Sequence, residues 1–314
     1  MNNSERNIYL TTKEVANLLK INDKMVYTLI TEKGLPATKV TGKWLFPQRL
    51  VEEWLDVTIL DQQPSEFLKT SLSDNDKLLL AGSDDPLFQQ TLALFNKKSN
   101  GRVAFFANLG SMGGLKCLRW GLCHIGVCHL LQDDNQEYNF KYAERELARL
   151  PVFVNFSMRE QGILLQKGNP KNILSVADLA KPEVRIVNRP LGTGTRLLLD
   201  YELTKGGISV DQLTGYEKEL SRHIDVGLEI LAGKADAGPA IRAVAGLLNL
   251  DFIPLRWERF DLLIARERFF DEGIQKFVNL LQDRSFHKLA KTFIGYDLSF
   301  CGKMVFPDNL NNKR

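Results

Sequence analysis

Apolar positions along the first sixty residues recur at helical spacing. In Thr11-Thr12-Lys13-Glu14-Val15-Ala16-Asn17-Leu18-Leu19-Lys20, Val15, Leu18 and Leu19 fall on one face. A threonine with Glu14 two or three positions on is a capping-box start. Ile21-Asn22-Asp23 predicts a short turn with a fresh cap, and a second helix over Lys24–Lys33 is expected to end at Gly34. Residues alternate on either side of Thr41-Gly42, which predicts a small hairpin, and a last helix from Gln48 to about Leu60 buries Leu50, Val51, Trp54 and Leu55. Residues 57–77 are polar and serine-rich, as in a domain connection.

From Lys77 the pattern becomes strand, helix, strand. Strands are predicted at 77–81, 102–106 and 124–130, with helices at 87–97 and 115–122 between them. This alternation implies a mostly parallel sheet covered by helices. Farther on come a long strand over Val152–Leu165, a short helix from Ser175, a buried strand over Val184–Val187, a helix ending at Gly206-Gly207 and another over Asp225–Ala232. Gly121-Leu122-Cys123-His124-Ile125-Gly126 and Gly233-Lys234-Ala235-Asp236-Ala237-Gly238 share one glycine spacing. Each follows a helix and leads into a strand, as two similar α/β lobes with a cleft between them would require.

A length of 314 residues fits two or three domains, with 44% hydrophobic and 25% charged residues as in ordinary globular protein. A net charge of +3 is too small for a whole-chain argument about nucleic acid. Over residues 8–49, however, seven basic residues (Lys13, Lys20, Lys24, Lys33, Lys39, Lys43, Arg49) face three acids, a local +4. The N-terminus has no apolar run like a signal peptide, and no apolar stretch is long enough for a membrane span, so a cytoplasmic protein with reduced thiols is expected. Strand alternation puts His124 and His129 on opposite faces, and no CxxC pair exists among Cys117, Cys123, Cys128 and Cys301. No metal site is expected. With four histidines and no Ser/His/Asp motif, no catalytic residue is assigned and the chain is not read as an enzyme.

The candidate chemistry centres on Val187-Asn188-Arg189-Pro190-Leu191-Gly192-Thr193-Gly194-Thr195-Arg196, a turn between a strand and a helix. Its backbone N–H groups at a helix N-terminus suit an anion. Gly192 and Gly194 allow close approach, Thr193 or Thr195 can cap or donate, and Arg189 and Arg196 can add charge-assisted bonds. The alternative is an ordinary capped helix with solvated arginines. The turns Gly82-Ser83-Asp84 and Gly110-Ser111-Met112-Gly113 fall at the C-terminal ends of strands, where ligands bind in such sheets. Asp236 fits a hinge or structural hydrogen bond, and Arg222 and His223 are read as solvated or packing residues.

Two short helices and a tight turn form the helix-turn-helix plan. The Tyr9-Leu10-Thr11-Thr12-Lys13-Glu14-Val15-Ala16 opening, Val26-Tyr27, Gly34-Leu35-Pro36 and Gly42-Lys43-Trp44 resemble the excisionase-type winged helix-turn-helix, related to MerR-type domains. The resemblance covers about fifty residues. It implies binding to double-stranded DNA, with Asp23, Lys24, Tyr27 and Thr28 of the second helix in the major groove. The wing lysines Lys39 and Lys43 would reach phosphates, and Thr12, Lys33 and Trp44 complete the implied DNA-binding residues. A protein-interaction winged helix is the alternative.

Residues 77–306 resemble the periplasmic-binding-protein-like (type II) domain of the molybdate-binding type, in the version fused to regulators and to molybdopterin-biosynthesis proteins. The residues that carry this are Gly82-Ser83-Asp84-Asp85-Pro86, Gly110–Gly114, Arg159-Glu160-Gln161-Gly162, Gly168-Asn169-Pro170, Asn188-Arg189, Gly192–Arg196, Gly215-Tyr216, Ala235–Gly238 and Glu258-Arg259-Phe260-Asp261-Leu262. The expected architecture is therefore α/β: a winged helix-turn-helix over 1–58, a linker over 59–76 and a two-lobed sensing domain over 77–314. The resemblance implies a ligand-responsive transcriptional regulator whose effector is a small anion, molybdate or tungstate first. It carries no covalent cofactor and acts as a homodimer or higher homo-oligomer. The implied ligand residues are Ser83, Asp84, Ser111, Met112, Arg159, Asn188, Arg189, Thr193, Gly194, Thr195, Arg196, Asp236 and Glu258. The family holds its dianion largely without arginine, so Arg159, Arg189 and Arg196 leave room for a phosphate, a carboxylate or a pterin-type ligand. Phe260 replaces a more usual tyrosine. The remaining alternatives are a role in molybdenum-cofactor metabolism and a DNA-binding scaffold that senses nothing.

Overall fold

Two stretches of chain form separate units, Met1–Phe67 and Leu68–Arg314, in a computed structural model that describes residues 9–40, 42–52, 54–55, 77–99, 101–132 and 138–307. The linker expected over 59–76 lies outside the described residues.

The first unit begins with β1 (Tyr9–Thr11), α1 (Thr12–Leu19) and α2 (Asp23–Lys33). The capping box is present: the Thr11 hydroxyl accepts from the Glu14 N–H, and the Glu14 carboxylate accepts from the Thr11 N–H at 2.7 Å. Those bonds hold the Glu14 carboxyl below its ordinary value. Asn22 caps α2 by accepting from the Met25 N–H at 2.9 Å, and Gly34 ends it in the left-handed conformation. The hairpin is β2 (Thr38–Val40) with β3 (Lys43–Pro47), and β1 adds to it as a third strand, in the order β1-β3-β2. Sequence pattern did not reveal β1, because its partners Leu45 to Pro47 are distant along the chain. Residues 48–52 and 54–55 are helical. Val15, Ala16, Val26, Leu35, Phe46 and Val51 form the buried core.

The second unit is built on β4 (Lys77–Gly82), which lies parallel to β5 (Val103–Asn108) and β6 (Ile125–Cys128). The expectation of a mostly parallel sheet needs correction, because two strands of 14 residues, β7 (Val152–Leu165) and β9 (Asp251–Ile264), pair antiparallel with each other. Three shorter strands, β8 (Ala237–Ile241), β10 (Tyr296–Asp297) and β11 (Met304–Val305), also pair with β7. Together they make an eight-stranded sheet whose main path runs β10-β7-β9-β6-β4-β5. The two long strands run from one lobe into the other. Val154, Phe156, Phe260 and Leu262 join the core of the first lobe, while Ile163, Leu164 and Leu165 join the two clusters of the second. Register shifts at Asn155/Ser157 and at Gln161/Gly162 bracket the segment where the strands cross between lobes.

Helices α3 (Pro86–Lys98) and α4 (Gly110–Arg119) cover the first lobe. The Gly110–Gly114 segment, expected as a turn, is already the first turn of α4, so Ser111 is a helical residue. After α5 (Phe140–Glu146) and β7, the strand expected over Val184–Val187 is a series of isolated bridges from Arg185, Ile186 and Asn188 to three separate partners. Helices α6 (Gly194–Lys205), α7 (His223–Leu231) and α8 (Arg242–Leu248) complete the second lobe with β8. The repeated glycine spacing is matched in structure. Gly121 and Gly233 both take positive φ, and the strands they feed, β6 and β8, lie antiparallel to β9 and β7 respectively.

Phe88 lies at the centre of the first lobe, edge-on to Phe106, Phe156, Phe260 and Phe277 with ring centroids 5.2–6.2 Å apart. Truncating such a fully buried aromatic leaves a cavity that its neighbours only partly fill. We expect Phe88→Ala to destabilise the second unit by about 3–5 kcal/mol, measured by denaturant unfolding; a loss below about 1 kcal/mol would show that the cluster repacks.

Candidate functional site

On the first unit, Asp23, Lys24, Lys33, Lys39 and Lys43 are exposed, and Tyr27 is 45% exposed on α2. Thr12, Thr28 and Trp44 are half-buried. Trp44 packs on the core, and the Lys39 ammonium lies 5.7 Å from its ring centroid. The Trp54 indole N–H donates to the Lys33 carbonyl at 3.0 Å, which ties the last helical segment to the end of α2. One helix thus presents a charged and aromatic edge beside a lysine-bearing hairpin.

On the second unit, the segment between the two bulges carries Ser157, Arg159 and Gln161 at strand spacing, all buried, opposite the segment that carries Glu258 and Phe260. Arg159 donates to Glu258 at 2.5 Å through Nε and to Asp85 at 2.8 Å through Nη1, and its guanidinium lies 4.0 Å from the Phe260 ring centroid. Asp85 in turn caps α3, accepting from the Phe88 N–H, and accepts from the Tyr296 hydroxyl at 2.8 Å. The other Glu258 oxygen meets His129 Nδ1 at 2.8 Å and the Gln161 amide, and the same amide donates to the Thr195 hydroxyl at 3.1 Å. Ser83 Oγ lies 2.7 Å from His129 Nε2, and Ser111 Oγ accepts from the His129 N–H at 3.1 Å.

Burial opposes the Glu258 carboxylate, but Arg159 and His129 outweigh it and hold the pKa below its ordinary value. Burial lowers His129, and Arg159 and Arg189 add to this against the pull of Glu258. Burial and the neighbouring Asp85 raise Asp84, with Arg189 acting the other way. Arg189 is buried without an ion-pair partner among the described residues; its Nη1 donates to the Leu220 carbonyl at 2.8 Å, and burial pushes its pKa down to about 10. His223, the first residue of α7, is fully buried and held well below its ordinary value by burial, Arg189, Arg159 and His129. Among the described residues, Arg159 Nη2, Arg189 Nε and both ring nitrogens of His223 have no hydrogen-bond partner. Buried donors are rarely left this way unless a ligand or water completes them.

The lobes meet around this cluster. A Cβ placed on Gly194 would lie 2.3 Å from the His129 carbonyl oxygen, so only glycine fits there. The Asn108 amide donates to the Ser221 carbonyl at 3.2 Å, and Gly192 faces Met112. Thr193 caps α6, accepting from the Arg196 N–H at 3.3 Å.

Three expected ligand residues stand apart from this cluster. Arg196 is bound to Asp200, Glu219 and the Arg189 carbonyl and stacks on Tyr216. The Asp236 carboxylate accepts from the Arg185 N–H at 2.8 Å. Asn188 bridges the Arg189 N–H and the Tyr216 carbonyl. Conversely, sequence reasoning missed Asp85, His129, Gln161 and His223. A period-two polar stripe, Ser157-Arg159-Gln161 in an apolar strand, was the available signal for Gln161. Ser83, His129 and Glu258 are spaced like a nucleophile, base and orienter, an arrangement no motif shows because its members are separated by 46 and 129 residues. Arg159 and Gln161 bond to the same carboxylate, so it does not serve the imidazole alone. Elsewhere on the second lobe, a pocket of about 680 Å³ is lined by Leu165, Asn169, Arg242, Phe252 and Ile294. The Arg242 charge there is already met by Glu160.

The sequence signature of the PBP superfamily domain matches residues 92–282. The chain belongs to the PBP superfamily. A helix-turn-helix domain signature matches residues 9–56, so this PBP-superfamily chain joins a DNA-binding type of domain to a substrate-binding type. An uncharacterized protein of Bacillus subtilis (strain 168), YvgK, is 26% identical over 302 residues, covering 94% of this chain and 97% of its own length. An uncharacterized Clostridium pasteurianum protein from the 5′ region of a 2Fe-2S ferredoxin gene is 30% identical over 110 residues, 35% of this chain and 97% of its own. Among solved structures, a phosphate ABC transporter substrate-binding protein from Clostridium perfringens with bound phosphate superposes with a TM-score of 0.50 at 15% identity. The match covers 70% of this chain and 99% of that one. A cysteine-to-serine mutant of Corynebacterium glutamicum OxyR, with hydrogen peroxide bound, gives 0.50 at 13% identity over 90% and 89%. Both are likenesses of fold. No helix among the described residues is long and apolar enough to cross a membrane.

The exposed lysines of the first unit lead to a direct test. Phosphate contacts supply sequence-independent affinity and make it salt-dependent. Lys24→Ala and Lys43→Ala are each expected to weaken duplex binding and to reduce the slope of log affinity against log salt by about one. Slopes unchanged in both variants, measured by fluorescence anisotropy, would show that DNA uses another face.

Proposed function

We propose that this chain is a ligand-responsive DNA-binding regulator whose second unit senses a small oxyanion, with molybdate and tungstate as the first candidates. The observation that carries this reading is the set of buried nitrogens of Arg159, Arg189 and His223 that no acceptor among the described residues completes. Arg189 adds a buried positive charge with no carboxylate bound to it among those residues. An oxyanion supplies both the missing acceptors and the missing charge.

A second reading within the same class is a phosphate or carboxylate effector. Arg159 and Arg189 favour it, because a guanidinium matches the paired oxygens of those groups. The fold neighbour that holds phosphate puts phosphate in the same panel. In either case the anion must bind the closed lobes more tightly than the open ones, or it shifts no population. Operators tend to mirror the symmetry of the protein that reads them, and a homodimer carrying paired DNA-binding units in the cytoplasm is the form in which this device would act.

Calorimetry with molybdate, tungstate, sulfate, phosphate and small carboxylates is the test. At least one should bind, and Arg189→Ala should weaken that binding about tenfold to a hundredfold, the scale of a hydrogen bond to a charged group. The bound anion should also change affinity for operator DNA. No binding by any of them, or unchanged affinity in Arg189→Ala, would remove the reading.

A further inference from the structure

His223 combines three features. Its side chain is fully buried, neither ring nitrogen has a partner among the described residues, and it opens the nine-residue helix α7. No side chain caps that helix, and its N-terminal end carries a partial positive charge. The groups that act most strongly on the ring are cationic or neutral. The His129 ring lies 6.5 Å away, and Arg159 from β7 and Arg189 from the turn before α6 act on it through space. The neighbouring carboxylates are already committed. Asp225 on the same helix holds Arg222 through both oxygens, Asp85 and Glu258 hold Arg159, and Asp84 faces Arg189. Arg242, which begins the packed helix α8, is held by Glu160.

Building on the oxyanion reading above, we propose that His223 is the proton-coupled ligand group of this site. It is neutral in the empty protein, and it takes up one proton as a divalent oxyanion binds and then donates a hydrogen bond to that anion. The charges present explain why. Arg159 is already held by two carboxylates, so a dianion meets only Arg189, whose charge Asp84 already offsets in part. The cheapest further compensation is a proton on an imidazole that no other group engages. In the empty site, burial and the two arginines oppose that proton; the anion reverses the local field.

The sign follows by linkage. His223 titrates well below its ordinary value when the site is empty, and its pKa rises in the complex. Between those two values each anion brings a proton with it, and affinity tightens as pH falls. Above the upper value neither form is protonated, and below the lower value both are, so the dependence ends on either side.

Calorimetry near pH 6, in two buffers of different ionisation enthalpy, reads the proton directly. Sulfate and molybdate are the probes because both stay essentially unprotonated there. Wild-type protein is expected to take up about one proton per anion and to bind about tenfold more tightly per pH unit lowered. His223→Gln should abolish both the uptake and the slope while retaining weaker binding. If that variant does not fold, as judged by thermal melting, His129→Gln and Asp84→Asn decide: uptake kept in both supports His223, and uptake lost in either overturns the assignment. Anion binding without proton uptake overturns the proposal and leaves the oxyanion reading standing. Uptake that persists in His223→Gln and disappears in His129→Gln overturns the assignment to His223. Failure of every anion in the panel to bind removes the proposal together with the reading it rests on.

Discussion

The second unit is organised around one buried cation. Taking a guanidinium out of water costs several kcal/mol, and Arg159 offsets this with two carboxylates and an aromatic face. The two carboxylates come from different places. Asp85 fixes the start of α3 in the first lobe, while Glu258 lies across from Arg159 on the neighbouring strand, where the chain passes between lobes. Glu258 then orients His129, and His129 places Ser83 and Ser111. Removing a single partner would strand a charge in the interior, so the whole array is over-determined by the need to keep that charge paired. The strand crossing, the helix start and the serine-bearing turns are positioned by one electrostatic requirement.

Much of the first unit was legible because its signals are local. The Thr11–Glu14 box, the Asn22 cap and the Gly34 terminator each lie within a few residues of what they determine. β1 was not, since its pairing partners lie beyond two helices. The same distinction holds in the second unit. The strand-end turns at Ser83 and Ser111 follow from a general rule about α/β sheets, and both residues reach the cluster. The antiparallel pairing of β7 with β9 depends on segments about a hundred residues apart, and the local βαβ pattern pointed to a parallel sheet instead. Asp200, four residues after Arg196 on the same helix, was a readable sign that this arginine would be engaged locally. Nothing in the sequence marks His223, whose proposed role rests on what surrounds it and on what it lacks.

The missing acceptors also bear on how a ligand would move the lobes. A buried donor left without a partner costs about 1–3 kcal/mol, and the closed cleft contains several such atoms. Opening the cleft lets water complete them; the proposed oxyanion would complete them while the cleft stays shut. On that proposal the empty protein carries a penalty for closure that the anion removes, and this is the differential affinity a population shift requires. Contacts such as Asn108 with Ser221 and Gly194 with His129 favour closure whether or not an anion is bound. On the same proposal the incomplete donors would provide the discrimination, because the free energy they contribute changes sign with occupancy. A cleft lined by fully satisfied groups would close equally well in both states and would report nothing to the DNA-binding unit.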